Sequence, residues 1–400
     1  MKRVSLFGYG NTTKALAKEF DNVVFYDDKC HKPFVDENGY KVKPSYEFNP
    51  NYSDLEIPSP GIAPSNLLIQ KAKNLISEYD YFANTTPLKV WISGTNGKTT
   101  TTQMMHHLLK DKDAEIGGNI GNALATLNKQ SAIWLLETSS FTLHYTNKAT
   151  PNIYILLPIT PDHLSWHGSM QEYTNAKLKP LTFMKEGDIA LIPKEFVNTP
   201  SDALVIGYDN AKDLADYFSI ELDKIDFEGA FLVDALLAMA IDKILFDRID
   251  YAKINSFKVE AHRQEEITDA KGRVWVNDSK ATNIDATLVA LKRYAKKKIF
   301  LILGGDDKGV DLTPLFESMK NYNLTLFTIG SNKEKLFKLA QDFSIEAIVC
   351  QNLEDSIKKI DSLLDTKSIA LLSPAAASLD EFNSYAHRGD VFKDKIQSLS

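Results

Sequence analysis

The stretch Ser93-Gly94-Thr95-Asn96-Gly97-Lys98-Thr99-Thr100 decides the fold of this 400-residue chain. It follows Lys89 to Ser93, an apolar run that predicts a β-strand, and it opens a predicted helix. Glycines let backbone N–H groups approach phosphates, and the amino end of a helix adds partial positive charge. We therefore predict a phosphate-binding loop in which Lys98 contacts the outer phosphates and the Thr99 hydroxyl can bind Mg²⁺.

The spacing of this loop marks a subtype. The general phosphate-loop pattern has four residues between its glycines, whereas Gly94 and Gly97 have two between them. A flexible glycine turn before a helix is the alternative, but the Lys-Thr pair at the start of the helix favours phosphate binding. The residues predicted to bind ATP are Gly94, Thr95, Asn96, Gly97, Lys98, Thr99 and Thr100.

Two later strands end in polar residues that suit a metal site. Ala132 to Leu136 runs into Glu137, and Ile153 to Leu157 leads to His163. Ligands of an open parallel sheet bind beyond the carboxyl ends of its strands, so we expect Gly94, Glu137 and His163 to converge. A carboxylate and an imidazole can bind Mg²⁺ beside a triphosphate, although histidine is a less usual ligand. Taken singly, Glu137 could be a charge near a helix start, and His163 an ordinary loop histidine.

The first segment predicts a Rossmann-like unit. A strand, Val4 to Phe7, leads into a turn with Gly8 and Gly10, a helix follows, and a second strand ends at Asp27-Asp28. A dinucleotide site is the competing interpretation. Thr13 stands where that pattern has its third glycine, which disfavours it.

The last segment carries three polar loops, each after a predicted strand. They are Asn277–Asn283 after Val274–Val276, Gly304–Gly309 after Ile299–Leu303, and Ser373–Phe382 after Ile369–Leu372. An α/β domain builds its site from such loops. We predict an α/β protein of three domains: a Rossmann-like domain over 1–87, a central P-loop-type ATPase domain with a mostly parallel sheet over 88–259, and a Rossmann-like domain over 260–400.

Composition narrows the class of protein. The hydrophobic fraction of 44% and charged fraction of 25% are typical of a soluble globular chain, and the net charge of -7 gives no general attraction to nucleic acid or membrane. Two distant cysteines, Cys30 and Cys350, make neither a disulfide framework nor a metal cluster. The sequence shows neither a signal-peptide core nor an apolar run long enough for a bilayer. We expect a cytoplasmic monomer with small-molecule substrates.

With these motifs, the chain resembles the Mur ligase family, and within it the branch that adds D-glutamate. The resemblance runs from Gly8 to Phe392 and is weak across 185–260. The phosphate loop is shared by the whole superfamily, including folylpolyglutamate synthases. The discriminating pieces are Ser59-Pro60-Gly61, the loops from Asn277, Gly304 and Ser373, and Arg388-Gly389-Asp390.

The resemblance implies a reaction. The γ-phosphoryl group of ATP passes to the carboxylate of UDP-N-acetylmuramoyl-L-alanine, and the amine of D-glutamate attacks the acyl phosphate. It also implies two Mg²⁺ sites, with Thr99, Glu137, His163 and Lys177 as ligands, Lys177 as a carbamate formed with CO₂. By composition alone, Lys177 would be an ordinary solvated lysine.

The resemblance further assigns substrate residues. Arg263, Asp278 and Lys280 would bring the third domain onto ATP. The residues implied for D-glutamate are Thr282, Lys308, Ser378, Leu379 and Tyr385, with Lys308 also catalytic beside Lys98, Glu137, His163 and Lys177. Those implied for the UDP substrate are Gly8, Gly10, Asn11, Thr12, Asp27, Asp28, Lys29, Ser59, Pro60, Gly61, Asn119 and His163.

One departure concerns the adenine contacts. Most relatives have His-Asn and a further Asn at the start of a helix, where this chain has Phe231 and Asp234. Asp234 could accept a hydrogen bond from the adenine amino group. Another amide ligase of the superfamily, or a nucleotide-binding regulatory protein without catalysis, remains the alternative function.

Overall fold

The computed structural model describes residues 2–399, which form two compact units divided between Phe257 and Lys258. The first unit contains two β-sheets. Its amino-terminal sheet has the strands β1 (Val4–Phe7), β2 (Val23–Asp27), β3 (Phe34–Val35), β4 (Lys41–Pro44) and β5 (Leu55–Pro58), with the helices α1 (Asn11–Ala17), α2 (Leu67–Lys71) and α3 (Glu78–Tyr81). The order is β3-β4-β2-β1-β5, and only the β3–β4 pair is antiparallel.

The second sheet of this unit is entirely parallel, in the order β11-β10-β9-β6-β8-β7. Its strands are β6 (Leu88–Ser93), β7 (Ala114–Gly118), β8 (Ile133–Glu137), β9 (Ile153–Leu156), β10 (Ile189–Pro193) and β11 (Leu204–Tyr208). Its helices are α4 (Lys98–Leu109), α5 (Ser140–Tyr145), α6 (Leu164–His167), α7 (Met170–Leu178), α8 (Ala211–Phe218), α9 (Gly229–Phe246) and α10 (Tyr251–Asn255). The central strands are continuous apolar runs because both faces of the sheet are covered.

The second unit contains one sheet in the order β12-β13-β17-β14-β15-β16. Its strands are β12 (Glu265–Thr268), β13 (Val274–Asn277), β14 (Lys298–Gly304), β15 (Leu324–Ile329), β16 (Ala347–Val349) and β17 (Ser368–Leu372). The helices are α11 (Ile284–Arg293), α12 (Thr313–Met319), α13 (Lys333–Asp342), α14 (Leu353–Asp361) and α15 (Tyr385–Gln397). Apolar clusters cover both faces, and only the β12–β13 pair is antiparallel.

The predicted α/β class with mostly parallel sheets is confirmed. Each strand that the sequence predicted is present, within one or two residues at its ends. The division into 1–87, 88–259 and 260–400 stays a prediction. Among residues 2–399, no helix combines the length and the apolar character that a membrane span requires.

Candidate active site

The phosphate loop joins β6, an inner strand of its sheet, to α4. Gly94 has a φ of +140°, and a Cβ there would lie 2.4 Å from the Leu157 Cβ, so the close approach to the neighbouring loop requires glycine. Gly97, with a φ of +85°, is the residue from which α4 starts. The predicted strand, glycine turn and helix are therefore all present.

The side chain of Lys98 folds back over the phosphate loop. The Lys98 ammonium donates hydrogen bonds to the carbonyl oxygens of Gly94 at 3.0 Å and Thr95 at 2.8 Å. The Thr95 hydroxyl donates to the carbonyl of Thr160 at 3.0 Å and so ties the loop to the segment after β9. The ammonium is thus held over the turn where the phosphates are expected.

Glu137 ends β8, which lies directly beside β6. Its side chain is buried, and Oε1 accepts a hydrogen bond of 2.6 Å from the Asn119 amide. Oε2 is buried without a hydrogen-bond partner among the described residues. Leaving a buried carboxylate oxygen unpaired is costly, so this atom is suited to a bound cation.

His163 lies in the loop after β9, on the other side of β6. It has a φ of 54°, a left-handed conformation that a histidine adopts only where the surroundings hold it. Its backbone N–H donates to Asp162 Oδ1 at 2.8 Å, and its Nε2 lies 3.6 Å from Asp162 Oδ2. The predicted convergence of loop, carboxylate and imidazole at one sheet edge is what the topology produces.

Lys177 is not a solvated lysine. It is 1% exposed on α7, and its ammonium donates to the Gly94 carbonyl at 2.7 Å, with Ser93 Oγ at 3.4 Å. Burial, assisted by the nearby Lys98 charge, lowers the pKa of Lys177 well below its ordinary value. The lowered pKa favours the neutral, nucleophilic form of the amine.

These side chains fit a magnesium ion bound with a nucleotide. Mg²⁺ usually takes one or two protein oxygens and completes its shell with water and phosphate. Thr99 and the open oxygen of Glu137 provide that kind of donor. Among residues 2–399, no group of three or more His, Cys, Asp or Glu side chains with metal-site geometry occurs.

Gly8, Asp27, Asp28 and Ser59, which are expected at the UDP substrate, lie at the carboxyl ends of strands of the first sheet, whereas Asn119 and His163 follow strands of the second. Gly8 has a φ of +84°, and a Cβ there would lie 3.1 Å from the Ser59 Cβ. Asp27 accepts hydrogen bonds from the backbone N–H groups of Tyr9 at 2.6 Å and Lys29 at 2.7 Å. Asp27 therefore shapes the glycine turn, while Asp28 accepts from the side chain of Asn66.

Two hydrogen bonds join this edge to the central site. The Trp166 indole N–H donates to the Gly61 carbonyl at 3.1 Å, and the Tyr145 hydroxyl donates to the Ile62 carbonyl at 2.6 Å. Trp166 lies three residues after His163, so the loop after β5 is fixed relative to the catalytic loop.

In the second unit, the three predicted loops also lie side by side. Backbone hydrogen bonds join Asp306 to Ala377 in both directions, and Gly304 N–H donates to Pro374. The buried Arg388 guanidinium donates to the carbonyls of Ser279 at 2.9 Å and Ala376 at 3.1 Å. Burial lowers the pKa of Arg388 to about 10. Among the described residues, no carboxylate hydrogen-bonds to the guanidinium to oppose this effect.

The residues expected to contact ATP from this unit differ in burial. Asp278 is buried, accepts from Ser373 Oγ at 2.7 Å, and has a pKa raised by burial to about 7. Arg263 Nε is buried without a partner in the described part of the chain. Lys280 Nζ lies 3.6 Å from Glu260 and 5.1 Å from the Tyr385 ring centroid.

Four of the five residues expected at D-glutamate lie in these loops, and the fifth, Tyr385, is the first residue of α15. Lys308 has a φ of 53°, and its N–H donates to Asp306 Oδ1 at 2.9 Å. Ser378 is buried, whereas Leu379 is 73% exposed. Thr282 and Tyr385 are half-buried.

Some contacts of the site involve residues outside the sequence motifs. Tyr173 is buried, its hydroxyl lies 3.0 Å from Thr95 Oγ1, and Lys177 Nζ lies 4.9 Å from its ring centroid. Asp234 is also buried and accepts from Thr101 Oγ1 at 2.8 Å, under the first turn of α4. This contact with the phosphate-loop helix was not expected from the sequence, where Asp234 was a candidate for adenine.

Comparisons with known proteins identify the family of this chain. Residues 92–224 match the family model for the Mur ligase middle domain. A UDP-N-acetylmuramoylalanine–D-glutamate ligase of Campylobacter jejuni (strain RM1221) is 51% identical, covering 99% of this chain and 100% of the relative. The corresponding ligase of Helicobacter pylori (strain ATCC 700392 / 26695) is 48% identical, covering 98% of each.

Among solved structures, the MurF ligase of Thermotoga maritima in complex with ADP matches with a TM-score of 0.62 at 14% identity. That match covers 99% of this chain and 97% of the MurF chain, and it supports the fold alone. The near-complete coverage by relatives at about half identity settles the family. This chain belongs to the UDP-N-acetylmuramoylalanine–D-glutamate ligases, the D-glutamate-adding branch of the Mur ligase family.

Proposed function

We propose that this chain is an ATP-dependent amide ligase that joins D-glutamate to UDP-N-acetylmuramoyl-L-alanine in peptidoglycan precursor synthesis. The proposal rests on the side chains at the carboxyl edge of the sheet that contains β6. There, the Lys98 loop, the open oxygen of Glu137 and the buried amine of Lys177 lie together. Full-length relatives with this activity in their names support the choice of substrates.

Residues of the first unit would activate the carboxylate. Lys98 and the backbone of Gly94 to Thr100 hold the phosphates, so that the γ-phosphoryl group passes to the carboxylate and ADP leaves. Thr99, Glu137, His163 and Lys177 would hold two Mg²⁺ ions, which neutralise phosphate charge when bound. Asn119, His163 and the loops at Gly8 and Ser59 would position the UDP substrate.

Lys177 would serve as a carbamate. Its neutral amine nitrogen bonds to the carbon of CO₂, an electron pair moves to one oxygen, and the nitrogen loses a proton to water. An ammonium beside Mg²⁺ would be repelled, whereas a carbamate offers anionic oxygens. The absence of a carboxylate hydrogen-bonded to this amine among residues 2–399, together with its lowered pKa, supports the modification.

Residues of the second unit would hold D-glutamate and complete the nucleotide contacts. Lys308 and the hydroxyls of Thr282 and Ser378 suit a dicarboxylate, with Leu379 and Tyr385 beside them. Arg263, Asp278 and Lys280 would contact ATP. The D-glutamate amine attacks the acyl phosphate, forming the C–N bond, and the tetrahedral intermediate releases phosphate. We propose that the enzyme works as a cytoplasmic monomer.

A two-substrate phosphate-release assay tests the function. With ATP and Mg²⁺ present, phosphate should appear only when both UDP-N-acetylmuramoyl-L-alanine and D-glutamate are added. Release with a folate, or with L-lysine in place of D-glutamate, would assign another ligase of the superfamily. Protein that binds ATP but releases no phosphate under any of these conditions would instead indicate a regulatory nucleotide-binding protein.

A further inference from the structure

The turn after β7 holds Glu137 at two points. The backbone N–H of Asn119 donates to the Glu137 carbonyl at 2.9 Å, and the Asn119 side-chain amide donates to Glu137 Oε1 at 2.6 Å. A single residue therefore fixes both the main chain and the carboxylate. Such a short side-chain bond to an ionised oxygen is of the charge-assisted, stronger kind.

Tyr79 adds a third contact from a different part of the chain. It comes from α3, is 3% exposed, and packs edge-on against Trp91 with ring centroids 5.0 Å apart. Its hydroxyl donates to the Glu137 carbonyl at 3.2 Å. Glu137 is thus held from α3 and from the Gly118-Asn119 turn together.

Gly118 makes this approach possible. Its φ is +84°, and a Cβ there would lie 2.4 Å from the Glu137 carbonyl oxygen and 2.5 Å from the Tyr79 hydroxyl. Real Cβ atoms do not come so close to backbone, so the turn is built to lie directly on Glu137. The arrangement is specific rather than a chance surface contact.

The consequence concerns the two oxygens of the carboxylate. The terminal torsion of a glutamate is broad, so packing alone does not fix the plane of its carboxylate. Asn119 occupies Oε1, and Oε2 is the oxygen left buried without a partner. The hydrogen bond therefore fixes the plane of the carboxylate and leaves one of its two equivalent oxygens free as a ligand.

We propose that Asn119 and Tyr79 are positioning residues for Glu137, which hold its carboxylate with one oxygen presented to the metal of the nucleotide site. This inference rests on the metal role of Glu137 given above. It gives Asn119 a task beyond its expected contact with the UDP substrate, and it brings in Tyr79, to which no motif points.

Metal affinity measured without the UDP substrate separates the two tasks of Asn119. Mn²⁺ replaces Mg²⁺, and its binding to the full-length protein with ADP is followed by electron paramagnetic resonance. Loss of a hydrogen-bond partner behind a metal ligand weakens metal binding about 10- to 100-fold, which is the expectation for Asn119→Ala. Tyr79→Phe, which loses one weaker bond to the main chain, should weaken binding by a smaller factor.

Asn122→Ala is the matched control, because Asn122 is an exposed asparagine of the same turn whose side-chain amide donates to the Ile116 carbonyl and, among the described residues, makes no hydrogen bond to Glu137. Its Mn²⁺ affinity should equal that of the wild type. Asn119→Leu keeps a similar size and removes the donor without adding a charge or a metal ligand, so the same weakening is expected of it, and it tests the inference if the alanine variant does not fold.

Glu137→Ala distinguishes the possible failures. Unchanged Mn²⁺ affinity in Glu137→Ala would refute the metal role of Glu137 itself. Weakened binding in Glu137→Ala, with wild-type binding in the Asn119 variants and a raised KM only for the UDP substrate, would leave the metal site standing and overturn the positioning role.

Discussion

Replacement of Glu78 by glutamine should make the protein more stable than the wild type, and this advantage should grow as the pH rises. Glu78 is 6% exposed at the start of α3, and its Oε1 accepts a weak hydrogen bond of 3.4 Å from Ala125 N–H. Burial raises the pKa of this carboxyl from 4.5 to about 7. Glutamine keeps the acceptor and has no charge to bury.

The magnitude follows from linkage. In the unfolded chain Glu78 loses its proton near pH 4.5, whereas in the folded protein it keeps the proton to about pH 7. The folded state therefore binds more protons across this interval, and its stability falls as pH rises until both forms are ionised. The difference in pKa corresponds to about 3 kcal/mol, most of it arising between pH 5 and pH 8.

Urea unfolding at pH 5 and pH 8 measures the effect. The stability advantage of Glu78→Gln over the wild type should grow by about 2–3 kcal/mol between these two values. Glu186→Gln, on an exposed turn, is the control and should stay within about 0.5 kcal/mol of the wild type at both. An advantage that does not change with pH, or a variant less stable at pH 8, would refute the argument.

Three other variants test the site. Lys98→Ala should lower kcat by at least about 100-fold in the phosphate-release assay, because γ-phosphate charge goes unneutralised; turnover near the wild type would contradict the phosphate-loop role. Lys177→Ala should be inactive and partly restored by short carboxylic acids, whereas no rescue together with an active Lys177→Arg would argue against a carbamate. Gly118→Ala should lose about 2–5 kcal/mol of stability by thermal unfolding, from left-handed strain and overlap with Glu137 and Tyr79; an unchanged melting temperature would show that the turn can move away.

The phosphate loop and its surroundings follow from the sequence because they depend on local rules. A buried strand that runs into Gly94 must deliver the loop to a sheet edge, and Glu137 and His163 follow two strands of the same kind. Sheet topology then places all three together. The order of the strands, with β8 and β9 on either side of β6, is the long-range part of this result.

What the sequence did not predict depends on contacts distant along the chain. Tyr79 meets Glu137 across 58 residues, and Asp234 meets Thr101 across 133. Tyr79 is an ordinary core residue by type, and Asp234 was noticed in the sequence only as a candidate for adenine, so its contact with Thr101 was not predicted. The antiparallel edge strands β3 and β12 were among the strands not predicted, since β3 has only two residues and β12 has a single apolar residue, Ile267.

The hydrogen bonds from Tyr145 and Trp166 to the loop after β5 fix a distance within the first unit. They hold the loop proposed to contact the UDP substrate at a set separation from the loop that carries His163. In the proposed complex, the protein therefore sets the distance between the UDP end of the substrate and the site where its carboxylate reacts. With the UDP substrate bound as proposed, one further extended residue would shift the carboxylate of the precursor by about 3.5 Å, so this fixed separation would favour a single length of precursor.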